Sequence, residues 1–211
     1  LNVPDSSGSL KDVVLGFNDF NNYYENNPYF GAIIGRYGNR ISNGTFLLDG
    51  VRYELEQNNG TNSLHGGLVG FDKVFWKFIE EKSSNQSLYF EYYSKDMEGG
   101  FPGNLVVGVE YILNDSNELK IKYTASTDKK TIINLTQHSY FNLSGESSGD
   151  ILDHILNIDA EYYLPVNENM IPYGPYEKVE STPFDFTIQK KIGLDIFSDD
   201  IQLKIGNGYD H

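Results

Sequence analysis

Residues 105–126 read LVVGVEYILNDSNELKIKYTAS. In the second half Leu119, Ile121, Tyr123 and Ala125 alternate with Lys120, Lys122 and Thr124. Successive side chains of a strand point to opposite sides, so this alternation predicts a strand with one dry and one wet face. The first half, Leu105 to Leu113, is a second β-prone run, joined to it by Asn114-Asp115-Ser116-Asn117. The two are expected to form an antiparallel hairpin with a four-residue loop.

The same grammar recurs along the chain. TFLLDGVRYEL, residues 45–55, sets Asp49-Gly50 between two β-prone runs. That pair is preferred in tight type I′ turns, so a second hairpin is expected there. LYFEYYS (88–94) and HILNIDAEYYLPV (154–166) add strands rich in Tyr, Ile and Leu. Helical spacing is scarce. Residues 18–27 and KKIGLDIF (190–197) suit a turn of helix each, without sustained 3.6-residue periodicity. No fixed-period repeat and no composition break divides the 211 residues. The expected fold is all-β: one large antiparallel β-sandwich domain over 1–211, its strands joined by Gly- and Asn-rich loops.

Composition narrows the partners. Thirty acidic against 16 basic side chains give a net charge of −14, which repels nucleic-acid backbones and anionic membrane surfaces alike. Neither is an expected partner. There is no cysteine, hence no disulfide, no thiolate nucleophile and no soft metal ligand. No apolar run approaches the roughly 20 residues that span a bilayer, and Leu1-Asn2-Val3-Pro4 lacks the regions of a signal peptide. A cytoplasmic location fits these features. The first residue is Leu rather than Met, so the chain reads as lying inside a longer one, whose leader it would not display. Asn-x-Ser/Thr triplets at Asn43, Asn59, Asn134 and Asn142 are the sort an Asn-rich sequence makes by chance.

The chemistry concentrates in TIINLTQHSYFNLSG, residues 131–145. An imidazole, His138, stands there among neutral groups that both donate and accept hydrogen bonds. Such equipment moves a proton on a polyhydroxylated substrate. The plain alternative is a half-buried histidine capping a strand end. Asn134, Gln137, Ser139, Tyr140 and Asn142 make the segment too polar for an ordinary core strand. Ile132, Ile133, Leu135 and Phe141 make it too apolar for a free loop, and the residues alone leave the two readings balanced. Arg40, after Gly38-Asn39, is either paired with surface carboxylates or a planar fork of donors for adjacent sugar hydroxyls. His65 precedes Gly66-Gly67, which either admit a ligand close to the backbone or simply make a turn. The four histidines, His65, His138, His154 and His211, have no metal-ligand spacing. No metal is expected, and GRYGNR (35–40) lacks the strand-to-helix setting of a phosphate cradle.

Six blocks carry a resemblance: PYFGAIIGRYGNRISNGTF (28–46), NSLHGGLVGFDKVFW (62–76), NLTQHSYFNLSG (134–145), YLPVNENMIPYG (163–174), TPFDF (182–186) and NGYDH (207–211). In order, over nearly the whole chain, they resemble the signature blocks of the aldose 1-epimerases, or galactose mutarotases. One block would be a weak signal; together they are specific. The resemblance implies a β-sandwich of the galactose mutarotase type with a hexose in an open cleft, no cofactor, and no assignment of oligomeric state. His138 resembles the family's general acid and His65 its second active-site histidine. Asn39 and Arg40 fall at a sugar-binding pair, and Asp210 at the aspartate that accepts hydrogen bonds from sugar hydroxyls. Ser139 and Tyr140 lie in the block that shapes the pocket.

Two departures accompany it. MEGGFPG (97–103) differs slightly from the more usual EEGYPG form. The family's general base is a glutamate in the last third of its sequence, and the resemblance places it beyond His211, since Glu98 and Glu146 stand in other blocks. The chain is therefore expected to be a piece truncated at both ends, catalytically impaired, and prone to instability or association through unpaired strand edges. Two rival functions stand beside this one: a sugar-binding module without turnover, and an epimerase of phosphorylated hexoses. The scarcity of Lys and Arg near these blocks counts against the second.

Overall fold

In a computed structural model, which describes residues 1–24 and 28–210, the chain divides into two units: Leu1–Val14 with Phe141–His211, and Leu15–Tyr140. The first opens with β1 (Asn2–Pro4) paired antiparallel with β2 (Leu10–Asp12).

The second unit carries the longest strands and the site described below. In chain order it contains β3 (Ala32–Ile34), β4 (Arg40–Ile41), β5 (Thr45–Leu48), β6 (Val51–Glu54), β7 (Ser63–Leu64), β8 (Lys77–Phe78), β9 (Ser87–Ser94), β10 (Leu105–Leu113), β11 (Leu119–Thr127) and β12 (Thr136–His138). One antiparallel sheet runs β11-β10-β9-β8, while β12 pairs with β3, β4 with β7 and β5 with β6. The alternation in the 105–126 stretch does what it promised. Leu105, Val107 and Val109 are at most 1% exposed, whereas Val106 on the opposite face is 36% exposed. Val109 lies opposite Tyr123 and Tyr111 opposite Ile121, so one face of both strands turns to the core. Ala125, expected on that dry face, is exposed near the end of its strand. Phe71, Ile33, Trp76 and Leu135 pack on that face, Ile33 from β3.

The turns follow side-chain chemistry. Leu48 lies opposite Val51, and Asp49 and Gly50 both have positive φ, 50° and 80°, as a type I′ turn requires. The loop between β10 and β11 is one residue longer than expected, because Glu118 stays outside the ladder. Asn114 Oδ1 accepts the N–H groups of Ser116 and Glu118 (3.0 and 3.1 Å), and Asn117 takes a left-handed φ of 59°.

In the first unit, the long strand expected over 154–166 is broken into β13 (Ile155–Leu156) and β14 (Tyr162–Tyr163), paired with β16 (Lys190–Lys191) and β15 (Glu177–Lys178) respectively. Asn157 causes part of the break: its Nδ2 donates to the carbonyls of Phe186 and Thr187. Of the two helical turns expected, 190–197 forms a 3₁₀ turn at Ile192–Leu194 and 18–27 one at Phe20–Tyr23; residues 25–27 lie outside the described residues. A helix that periodicity missed, α1 (Ile201–Gly206), starts where Asp200 Oδ1 accepts the N–H groups of Gln202 and Leu203 and stops at left-handed Asn207. It buries Leu203 against Val179 and Phe184, and Gln202 exchanges two hydrogen bonds with the Val166 backbone (2.7 and 3.0 Å). Among the described residues no helix is long and apolar enough to cross a membrane.

Candidate functional site

Two backbone arrangements in the second unit bring the predicted residues together. The pair β3–β12 sets His138 opposite Ala32, and the N–H of Gly31 donates to the His138 carbonyl at 3.1 Å. Gln137, next to it, donates from Nε2 to the Gly31 carbonyl (2.6 Å) and to Ser139 Oγ (3.2 Å), and accepts from the Tyr111 hydroxyl (2.7 Å). The strand carrying His138 is thus fastened on both sides. The second arrangement is β4–β7, where Arg40 lies opposite Leu64 and the His65 N–H donates to the Asn39 carbonyl at 3.0 Å.

The rings of His65 and His138 meet edge to face, with centroids 5.3 Å apart and planes at 85°. Tyr29 contacts both, at 4.8 Å from His65 and 5.4 Å from His138, and Tyr140 packs 5.1 Å from His138. Ser139 is half-buried and Tyr140 exposed beside the imidazole. The Asn39 N–H donates to Nδ1 of His65 at 2.9 Å. A ring nitrogen that accepts from a backbone N–H carries no proton, so neutral His65 keeps its proton on Nε2 and can donate from there. His138 differs: among the described residues its ring nitrogens have no hydrogen-bond partner. Its half-buried imidazole is available to a ligand.

Among the described residues Arg40 pairs with no carboxylate. Its guanidinium donates to two neutral amide oxygens, Asn59 Oδ1 (3.0 Å) and Asn39 Oδ1 (3.1 Å), so its charge is oriented without being cancelled. Tyr29, Asn39 and His65 all have left-handed backbones, with φ of 63°, 63° and 54°. For residues other than glycine such a conformation costs on the order of 1–3 kcal/mol and survives only where the surroundings over-determine it. Three such residues around one pair of imidazoles mark this as a site the fold is built to maintain.

The glycines after His65 have a different reason from ligand approach. A Cβ on Gly66 would stand 1.9 Å from the Gly35 carbonyl oxygen, and one on Gly67 would meet the Glu56 carboxylate at 2.9 Å. The room is taken by backbone and by Glu56. A Cβ on Gly99 would likewise stand 2.9 Å from the Gly66 carbonyl oxygen. The glycines thus let three loops pack behind His65.

Sequence reasoning passed over Tyr29 and Asp72. Burial raises the Asp72 carboxyl above its ordinary range, and Lys73, a backbone hydrogen bond and the neighbouring His138 offset this only in part. Its folded-state pKa exceeds the unfolded one, so the stability it contributes is present below 3.8 and is lost as pH rises through the folded value. Ionised Asp72 therefore burdens the native state. Asp72→Asn is expected to raise the thermal midpoint at about pH 7 and to lose that advantage by about pH 3, as scanning calorimetry at the two pH values would register. An unchanged midpoint at neutral pH would mean that the carboxylate is fully compensated.

Other candidates are structural or lie elsewhere. His154, in the first unit, accepts the Leu143 N–H through Nε2 at 2.9 Å. Glu98 accepts from the Tyr92 hydroxyl (2.9 Å) and from Ser94 Oγ (2.8 Å). Asp210 belongs to the first unit, exposed just beyond α1, and His211 lies outside the described residues. Among the described residues no group of three or more His, Asp or Glu is placed to hold a metal ion.

This site and fold can be set beside known proteins. The chain is 45% identical to galactose mutarotase of Sus scrofa and 46% identical to that of Homo sapiens, each over 211 residues. It is 42% identical over 209 residues to aldose 1-epimerase of Escherichia coli strain K12. It spans 59% of the length of each of these relatives. Among solved structures, an aldose epimerase homologue from C. elegans superposes with a TM-score of 0.84 at 32% identity, over 90% of this chain and 57% of that one. The galactose 1-epimerase of Lactobacillus acidophilus NCFM superposes with a TM-score of 0.83 at 32% identity, over 96% of this chain and 59% of that one. The all-β expectation is met by both. A family model described as aldose 1-epimerase matches residues 1–211, the whole length, and the chain belongs to that family.

Proposed function

We infer that the protein is an aldose 1-epimerase, interconverting the α and β anomers of hexoses such as D-galactose and D-glucose. The observation that supports this most is the pair of perpendicular imidazoles 5.3 Å apart, one whose ring nitrogens have no hydrogen-bond partner among the described residues and one with its proton directed to Nε2. Mutarotation needs a proton placed on the ring oxygen while another leaves the C1 hydroxyl. The C1–ring-oxygen bond then breaks to give an aldehyde, rotation about C1–C2 turns the other carbonyl face inward, and reclosure runs the same transfers backwards. No electron is gained or lost, so the chemistry calls for no redox partner.

In this reading His138 protonates the ring oxygen, and His65 donates to the sugar near that oxygen from Nε2. The oriented amide and guanidinium of Asn39 and Arg40 bind hydroxyls, Ser139 and Tyr140 shape the pocket wall, and Asp210 accepts hydrogen bonds from the sugar. Holding the open-chain form by its hydroxyls favours reclosure over escape to water. The resemblance implies a glutamate as the C1 base, and Glu98, already committed to Tyr92 and Ser94, is not assigned that role. Polarimetry of freshly dissolved α-D-galactose with the protein at its natural full length tests the assignment. The approach to equilibrium rotation should accelerate in proportion to protein concentration. A rate equal to that of buffer would sink it, and tight sugar binding at that same rate would identify a binding module instead.

A further inference from the structure

Tyr29 touches both imidazoles of the candidate site. His65 follows β7 and His138 ends β12, and those two strands are not paired with one another. Tyr29 is where they meet: its ring stands edge-on to His65 at 75° and tilts at 39° against His138. Its backbone is tied to the strand of His138. The Tyr29 carbonyl accepts the Ala32 N–H at 3.1 Å, closing a turn whose Gly31 donates to the His138 carbonyl and accepts from Gln137. The left-handed φ of 63° at a bulky aromatic is the unfavourable choice that this turn imposes. Burial raises the Tyr29 phenol, Asp72 adds to the rise and Arg40 opposes it, so the ring is a neutral wedge between charged and titratable neighbours.

We propose that Tyr29 is a positioning residue of the epimerase reaction, whose aromatic ring fixes the separation and mutual angle of the His65 and His138 imidazoles. The kinetic half of this rests on the function proposed above; the geometric half does not. Two perpendicular rings must address one small ring oxygen and its surroundings, and a misplacement of about 1 Å in such an arrangement costs about 10²-fold in rate. The ring rather than the hydroxyl makes both contacts, so phenylalanine should serve and an aliphatic side chain should not.

The test uses the full-length protein as wild type, Tyr29→Phe and Tyr29→Leu, with Tyr29→Met replacing the leucine variant if the latter is not folded by circular dichroism. Proton NMR reads the cross-peaks between the two imidazole rings, assigned by their loss in His65→Gln, and polarimetry reads kcat and KM separately. Wild type and Tyr29→Phe are expected to show the cross-peaks and similar kcat. The aliphatic variant is expected to lose the cross-peaks and about 10²-fold in kcat, with KM changed far less. Retained cross-peaks in the aliphatic variant overturn the proposal, and so does their loss with kcat intact. Cross-peaks that behave as expected in a wild type without turnover support the geometric assignment and count against the proposed function alone.

Discussion

Replacing His138 with alanine should slow mutarotation by about 10²- to 10⁴-fold, the range that one positioned acid or base contributes. The same change should leave the fold nearly as stable, within about 1 kcal/mol. That contrast follows from the surroundings of the ring. The backbone of His138 is secured by Gly31 and by pairing with Ala32, neither of which uses the imidazole. Its ring nitrogens have no hydrogen-bond partner among the described residues, so no buried group is orphaned when the ring is removed. His65→Ala is different in kind. It deprives the Asn39 N–H of its acceptor, 2.9 Å away, and so disturbs the left-handed turn that also aims Arg40. Parallel measurement of unfolding and of polarimetric rate on both variants separates chemistry from scaffolding. A His138→Ala protein that retains full rate would remove the acid from the mechanism, whatever the family.

The sequence was most legible where structure is local. Alternation in 105–126 and the Asp49-Gly50 pair each contain the information for a hairpin within one continuous stretch, and both hairpins formed. The polar-apolar mixture around His138 marked the segment, and His65, Asn39 and Arg40 came to lie beside one another. Where several distant segments determine one residue, no local signal existed. Tyr29 looks like any strand-edge aromatic until the turn at Gly31 places it against two histidines 36 and 109 positions away. The glycines at 66 and 67 read equally well as a ligand floor or a turn, and only the Gly35 carbonyl beneath the first of them decides. The short helix after Asp200 is a different miss. Its six residues are too few for periodicity, yet its cap signals, Asp200 before and Asn207-Gly208 after, were there to be read.

Arg36 is where stability and site geometry join, and Arg36→Met should cost about 3–5 kcal/mol, the usual result of removing one partner from a buried charged network. For a chain of this size that is a fall of roughly 6–20 °C in thermal midpoint. The side chain is only 2% exposed. Its guanidinium donates to Ser94 Oγ (2.9 and 3.0 Å) and to the carbonyls of Pro102 (2.9 Å), Lys95 (2.8 Å) and Ser94 (3.3 Å). Ser94 Oγ in turn donates to Glu98, whose other oxygen takes the Tyr92 hydroxyl. Burial disfavours the charged guanidinium, and Glu98 and Asp96 offset this with negative charge. A buried ion pair can often be exchanged for apolar residues at little cost. That route is closed here, because three of the acceptors are main-chain carbonyls that no second mutation removes. Lysine would fare little better, since one ammonium cannot reproduce a planar fork that reaches several acceptors at once. The loop so fastened is the one whose Gly99 leaves no room for a Cβ beside the Gly66 carbonyl, immediately after His65. Loosening it should therefore misplace an imidazole even in molecules that remain folded, and lower kcat at temperatures well below the transition. An Arg36→Met protein that unfolds within about 1 kcal/mol of its parent would show that the network carries little of the fold.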